Sequence, residues 1–342
     1  MRKVKVGVLG VGEMGKRHAE NLRRLVPGAE LAAIADVAET RAKQVGEELE
    51  VEHAFGSLEA MLELKGLQAV VIATPDKFHP QAVIQAAKAG KDILCEKPLA
   101  LTMTDAYAAL DAVGKAGVRL QVGFMRRYDP AYAAAMKRIE AGEIGTPLIF
   151  KSVGRDKDKP PMAAYQSGVN GMILYNSTIH DFDLARWMMR DEVAEVQTYA
   201  TVATRPEVAR YGDVVASSVN LQYLNGGIGN IESYVSAVYG YDVRTEILGT
   251  KGAVFVGTLQ QTPAVFLSAN GSTQMLADHF LTRFADAYLA EARDFVQSVL
   301  DDKPVRVTGE DGLKALATAV AAESSMKQGR AMKVTLERSA RT

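Results

Sequence analysis

The chain has 342 residues, 48% of them hydrophobic, and its 40 basic and 41 acidic side chains leave a net charge of −1. That length exceeds what one core usually organises and predicts two domains. The near-neutral balance gives no electrostatic case for nucleic acid or an anionic membrane surface. No apolar stretch approaches the roughly 20 residues of a membrane span, and the first residues read as a strand and not as a signal peptide, so a soluble cytoplasmic protein is expected. The single cysteine, Cys95, excludes an intrachain disulfide and a cysteine-based zinc site. Beside Ile93 and Leu94 it reads as a packing residue at a strand end.

The apolar run Val4, Val6, Val8, Leu9 predicts a strand over 4–9 that runs into Gly10-x-Gly12-x-x-Gly15, with a helix from about Met14. A strand, a glycine turn and a helix start turn backbone N–H groups and the positive end of the helix dipole toward an anion, which suits a pyrophosphate. Gly10 permits the turn, Gly12 the approach of the ligand to the backbone, and Gly15 the packing of helix on strand. Glu13 and Met14, inside the same loop, join them as expected cofactor contacts. The run 31–35 then ends in Asp36, at the distance of about 20 residues where a dinucleotide fold needs an acid for the ribose hydroxyls. A carboxylate there accepts from a free 2′-hydroxyl and repels a 2′-phosphate, favouring NAD over NADP, although Arg41 could still reach a phosphate.

A helix from about Glu39, a strand at 69–73, a helix from about Pro80, a strand at 92–95, a helix over 104–116 and a strand over 119–124 continue the alternation. Such alternation implies right-handed crossovers and a parallel sheet, with the ligand at the carboxyl ends of the strands. The reading is therefore an α/β Rossmann dinucleotide-binding domain over 1–123. Thr74 and Pro75 follow the strand at 69–73, and His79 in the same loop could lie near the nicotinamide or cap the loop-to-helix junction. Cys95-Glu96-Lys97-Pro98 follows the strand at 92–95 and puts Lys97 near the nicotinamide end. An ammonium there can hydrogen-bond a hydroxyl and stabilise an alkoxide, the alternative being an ordinary surface lysine.

From 147 to 267 the runs Leu148-Ile-Phe-Lys-Ser-Val, Ala194-Glu-Val-Gln-Thr-Tyr, Ser217-Ser-Val-Asn-Leu-Gln-Tyr and Gly229-Asn-Ile-Glu-Ser-Tyr-Val alternate with period two, broken by turns such as Asn225-Gly-Gly. A large, open, mainly antiparallel sheet is expected, with helices over 283–300 and 310–328 and a loop at Lys157-Asp-Lys-Pro-Pro. This defines an α+β domain over 124–342, whose last helices could pack back on the first domain. Within it, Asn176 to Trp187 predicts one helix capped near Asn176 or Ser177, with Asn176, His180 and Asp183 on one face at i, i+4 and i+7. A neutral His180 can accept a hydroxyl proton near neutral pH. A cation site is the rival reading, weakened because no second histidine lies nearby, and a histidine satisfying a buried helix face is the structural one. Trp187 and Met188 read as core.

The order Gly10-x-Gly12-x-x-Gly15, Thr74-Pro-x-x-x-His79, Glu96-Lys97-Pro98, His180-Asp-x-Asp183 resembles the glucose-fructose oxidoreductase/inositol dehydrogenase/MocA family over nearly the whole chain. Within it, Gln121-Val-Gly-Phe-Met-Arg-Arg127-Tyr-Asp-Pro130 and Arg283-Phe-Ala-Asp-Ala-Tyr288-x-x-Glu291 are most similar to myo-inositol 2-dehydrogenases. The resemblance implies Lys97 and His180 as the catalytic pair, Thr74, Pro75, His79, Glu96 and Lys97 at the cofactor, and Arg127 as a substrate contact. It also implies a homodimer or homotetramer formed through the C-terminal sheet. Many inositol dehydrogenases have an aspartate where this chain has Asn176, whose amide can still bond a substrate hydroxyl but carries no charge. The approach Ser167-Gly-Val-Asn-Gly-Met-Ile-Leu-Tyr175 also departs from the usual pattern. The implied activity is NAD-dependent oxidation of a ring secondary alcohol of a cyclitol or sugar, with no metal. The alternatives are a keto-sugar reductase, a sugar oxidoreductase retaining NAD(P), or a non-catalytic sugar- or NAD-sensing protein on the same fold.

Overall fold

A computed structural model describes residues 2–168, 172–257 and 260–337, without the side chains of 262 and 263. The middle of the Ser167–Tyr175 approach and two positions within 147–267 therefore lie outside the described residues. The chain forms two compact units. One comprises the residues up to Met125 together with Ala287–Leu316, the other Arg126–Asp286 together with Ala317–Thr335.

In the first unit the chain runs β1 (Val4–Leu9), α1 (Glu13–Arg24), β2 (Ala29–Ala35), α2 (Glu39–Glu48), β3 (His53–Phe55), α3 (Leu58–Leu62), β4 (Ala69–Ile72), α4 (His79–Lys88), β5 (Asp92–Cys95), α5 (Met103–Ala116) and β6 (Leu120–Val122). The six strands form one parallel sheet in the order β3-β2-β1-β4-β5-β6. Its centre is the continuous apolar sequence expected of strands covered on both faces, with Val6, Val8, Val70 and Ile72 fully buried. The order reverses between β1 and β4, so a crevice opens at their carboxyl ends, where such folds hold a ligand. Short β3 and α3 carry too few periodic residues to be read from the sequence. Cys95 closes β5 fully buried, as its apolar neighbours imply, and burial pushes its thiol up.

The second unit opens with a single 3₁₀ turn at Met125–Tyr128 and α6 (Pro130–Glu140), whose Asp129 cap accepts the N–H groups of Ala131 and Tyr132. There follow β7 (Pro147–Asp156), α7 (Met162–Ser167), α8 (Ile173–Asn176), α9 (Ile179–Met189), β8 (Val193–Thr201), β9 (Ala216–Tyr223), β10 (Ile228–Val235), β11 (Asp242–Gly249), β12 (Ala253–Val256), β13 (Gln260–Ser268), β14 (Gly271–Leu276) and α10 (Phe280–Arg283); the chain then returns to the first unit with most of α11 (Ala285–Asp301) and the start of α12 (Gly309–Gln328), and the rest of α12 and β15 (Met332–Lys333) belong to the second. Seven strands form a sheet in the order β12-β11-β7-β10-β9-β8-β15, while β13 and β14 pair separately as a hairpin. Neighbours in the large sheet are antiparallel except β7 and β10, which are parallel. The exception has a simple origin: β7 leads into the helical segment α7–α9 and not into a hairpin, which frees it to run alongside β10. Along β9, Val219, Leu221 and Tyr223 face inward between exposed neighbours, the period-two pattern seen in the sequence.

The helix expected over 283–300 is interrupted at Phe284, between α10 and α11. Ala292, Phe295, Val296 and Val299 of α11 complete the core under β1, β2 and α1. Among the described residues no helix is long and apolar enough to cross a membrane.

Candidate active site

The glycine loop behaves as three separate devices. Gly10 has φ +80°, and a Cβ on it would lie 2.7 Å from the Ala73 carbonyl oxygen. A Cβ on Gly15 would lie 1.7 Å from the Gly10 carbonyl oxygen, so close packing of α1 on the strand end forbids any side chain there. Gly12 is different: a Cβ would meet no protein atom within 4 Å. It caps α1 without a side-chain hydrogen bond, so the first turn of α1, from Glu13, turns main-chain N–H groups of Met14 and Gly15 toward the open side of the loop. Asp36, buried just beyond β2, accepts the Val11 N–H through Oδ2 and the Ala38 N–H through Oδ1, both at 2.9 Å. These bonds aim the carboxylate, and Arg41 stands exposed 3.9 Å from it. A donor-rich loop with open space over Gly12 and a fixed acid at the end of β2 fits NAD, with the pyrophosphate at the first and a ribose at the second.

Beyond β4 and β5 the structure separates residues that the motifs group together. His79, 1% exposed at the start of α4, places Nδ1 2.7 Å from the Pro98 carbonyl and Nε2 2.7 Å from the Thr74 carbonyl. It ties the loop after β4 to the loop after β5, and Pro75 stays exposed at the head of the 3₁₀ turn Asp76–Phe78. Glu96, expected at the cofactor, has protein partners for its side chain. Its side chain turns inward, with Oε1 2.8 Å from His18 Nε2 and Oε2 accepting the Lys97 N–H at 3.3 Å. Burial works against the Glu96 charge, but the His18 hydrogen bond and charge, with Lys97 and His79, hold its carboxyl below the usual range. Lys97 follows it, partly exposed. Glu291 completes this buried group, and ligand atoms of His18, Glu96 and Glu291 all lie within 4.8 Å of one another. His18 and Glu291 were outside the site read from the sequence. The signal available was the burial stripe Gly15, His18, Ala19, Leu22 on α1, which marks a core histidine and no more.

In the second unit, His180 lies in the first turn of α9 and is 6% exposed. The single helix expected from Asn176 to Trp187 is broken: α8 ends at Asn176, and α9 starts at Ile179. Asn176 is therefore outside the helix face that carries His180 and Asp183. The break is held by Thr178, whose hydroxyl donates to Ser233 Oγ at 2.8 Å, and by Ser177, which donates to Asp156 at 2.7 Å. Two buried carboxylates of α9 are met by the two arginines of the 125–128 turn. Arg126 Nη1 donates to Asp181 Oδ1 at 2.7 Å, and Ser152 of β7 donates to the same oxygen at 2.6 Å. Arg127 grips Asp183 with a fork, Nε to Oδ2 at 2.8 Å and Nη2 to Oδ1 at 2.5 Å. Burial alone would lower Arg126, but Asp181 and the nearby Tyr241 and Tyr132 hold its pKa raised. Arg127 also sits over Trp187, 5.6 Å from the ring centroid. Arg127, expected at the substrate, grips the helix that carries His180.

Both domains match one family. Residues 4–124 match the NAD-binding Rossmann fold of the GFO_IDH_MocA oxidoreductase family, and residues 136–336 match its C-terminal alpha/beta domain. The chain belongs to this family of NAD-binding oxidoreductases. It is 38% identical over 335 residues to a scyllo-inositol 2-dehydrogenase (NAD(+)) of Bacillus subtilis, covering 98% of this chain and 97% of that one. It is 36% identical over 332 residues to a myo-inositol 2-dehydrogenase of Thermotoga maritima, covering 97% and 98%. The crystal structure of scyllo-inositol dehydrogenase from Lactobacillus casei with bound NAD(H) and scyllo-inositol superposes with a TM-score of 0.92 at 28% identity, covering 97% of this chain and 99% of that one.

Proposed function

We propose that the chain is an NAD-dependent dehydrogenase that oxidises a ring secondary alcohol of a cyclitol of the inositol type to the ketone. The observation that carries this reading is likeness over nearly the full length to enzymes named inositol 2-dehydrogenases, in a chain that keeps both Lys97 after β5 and His180 on α9. NAD, when bound, supplies the hydride acceptor. His180 takes the hydroxyl proton, and the Lys97 ammonium stabilises the alkoxide as it forms. Asn176 offers an amide to a second hydroxyl of the ring. Gly10, Gly12, Glu13, Met14, Gly15 and Asp36 hold the dinucleotide, and the Thr74, Pro75 and His79 loop borders it. Arg127 and Asp183 fix α9 and with it His180.

Exposed Tyr199, Ile228, Leu248 and Phe255 lie on strands of the large sheet and support a homodimer or homotetramer formed through it in the cytoplasm. The test is nicotinamide absorbance with NAD and NADP against scyllo-inositol, myo-inositol, glucose and galactose. Turnover of an inositol with NAD is expected. Turnover of a pyranose alone would reassign the substrate, and NAD binding with no turnover of any polyol would overturn the enzyme reading in favour of a sensor.

A further inference from the structure

The buried group behind Lys97 is unusual in its charge. Glu291 is 0% exposed, and both of its carboxyl oxygens lack a hydrogen-bond partner among the described residues. A carboxylate in that condition is costly, and Glu96 holds a second carboxyl group against it. Glu96 has the His18 ring nitrogen at 2.8 Å, and that ring is packed edge-on by Tyr288 at 6.1 Å between centroids. Gly123 closes the space on the other side, since a Cβ there would stand 3.0 Å from Glu96 Oε2. Glu96 in turn accepts the main-chain N–H of Lys97.

We propose that Glu291 is a positioning residue for Lys97, acting through Glu96 and His18 as the uncharged third member of a buried triad. With a proton on Glu291, Glu96 is the one carboxylate of the triad, and it faces the imidazole of His18. With Glu291 ionised, two carboxylates compete for one imidazole, and Glu96 is driven from the position in which it anchors Lys97. The other charges that reach the triad are Lys97 and His79 beside Glu96 and Asp294 beside Glu291. Asp294 disfavours a charge on Glu291 further, and burial is the largest cause that raises its carboxyl well above the usual range. A divalent cation held by the three side chains would also offset the two carboxylates, and the test separates these two fillings.

The inference rests on Lys97 acting in the reaction, so the experiment begins with Lys97→Ala in the full-length enzyme assayed with NAD and inositol. The key comparison is Glu291→Gln, a neutral isostere of the protonated acid, with Glu291→Ala. Glu291→Gln is expected to keep kcat within about twofold of the parent, while Glu291→Ala lowers kcat by about tenfold or more with the KM for NAD unchanged. Infrared spectroscopy reads the proton directly and does not require activity: the parent should show the C=O stretch of a buried carboxylic acid, and Glu291→Gln should lack it. Equal loss in both Glu291 variants, absence of that band, or stoichiometric zinc in the parent that Glu291→Gln loses would overturn the neutral-acid triad. Loss in Lys97→Ala with full activity in folded Glu291→Ala would overturn the positioning role alone. Full activity in Lys97→Ala would instead defeat the reading of Lys97 itself.

Discussion

Arg127 carries two readings, a substrate contact implied by the family resemblance and a grip on Asp183 seen in the structure, and replacing it decides between them. The guanidinium and the Asp183 carboxylate are 8% and 1% exposed and are joined by two charge-assisted bonds. Truncating one partner of such a pair strands the other charge in the interior, which costs about 3–5 kcal/mol. For a unit of roughly 150–250 residues, each kcal/mol shifts the melting temperature by about 2–4 °C, so Arg127→Ala should melt roughly 6–20 °C lower. The assay is intrinsic fluorescence on heating, because Trp187 is the single tryptophan of the chain and lies under Arg127 in the same unit. Arg127→Met combined with Asp183→Leu should recover most of the loss, since an apolar pair of similar volume leaves no buried charge. A variant Arg127→Ala that melts within about 2 °C of the parent, with only a raised KM for inositol, would refute the helix-holding role and return Arg127 to the substrate contact implied by the family resemblance.

Gly12→Ala should leave the melting temperature unchanged, because its Cβ meets no protein atom, yet weaken NAD binding by about tenfold or more by occupying the pyrophosphate's space. Isothermal titration with NAD checks this, and tight binding by the variant would show that the open side of the loop does not face the ligand. Lys97→Ala should lower kcat by about 10² or more with NAD affinity nearly intact, measured by stopped-flow hydride transfer. Glu291 and Glu96 should give opposite pH signatures in stability. The raised carboxyl of Glu291 keeps its proton in the folded state, so its contribution is full below the unfolded value near about 4.3 and falls as pH rises toward the folded one, by up to about 1.4 kcal/mol per pH unit. The lowered carboxyl of Glu96 contributes above its unfolded value and loses that contribution as pH falls through the folded one. Denaturant titrations of the parent and Glu291→Gln over about pH 5 to 8 should therefore converge toward acid and separate toward base; parallel lines would mean that Glu291 is already ionised.

The parts of the fold written in contiguous residues were legible. Strand periodicity, the glycine loop and Asp36 are local signals, and they were enough for five of the six strands of the parallel sheet and for the NAD-binding fold. The helix break at Ser177–Thr178 was not legible, because hydrogen bonds to Ser233 and Asp156, elsewhere in the chain, hold it against the local helical pattern. The same holds for the charges. Arg126 and Arg127 find their carboxylates 55 and 56 positions away, and His18 meets Glu96 at a separation of 78. A sequence shows that such charges exist, but which of them are spent on each other depends on the fold.

That expenditure follows one arrangement in both units. Each proposed catalytic side chain is adjacent in sequence to a buried carboxylate, Glu96 before Lys97 and Asp181 after His180, and each carboxylate is fixed by a basic partner, His18 or Arg126. In both cases a glycine makes the room: a Cβ on Gly123 would lie 3.0 Å from Glu96, and one on Gly154 would lie 2.9 Å from Asp181. A flexible lysine or a histidine near a helix start has little intrinsic rigidity, whereas its main chain is fixed when the neighbouring residue is an ion that cannot leave its counter-charge without large desolvation cost. The buried acids therefore do not compete with Lys97 and His180 for a chemical role. They restrict where those two residues can be, which is the contribution a protein makes when the cofactor carries the hydride.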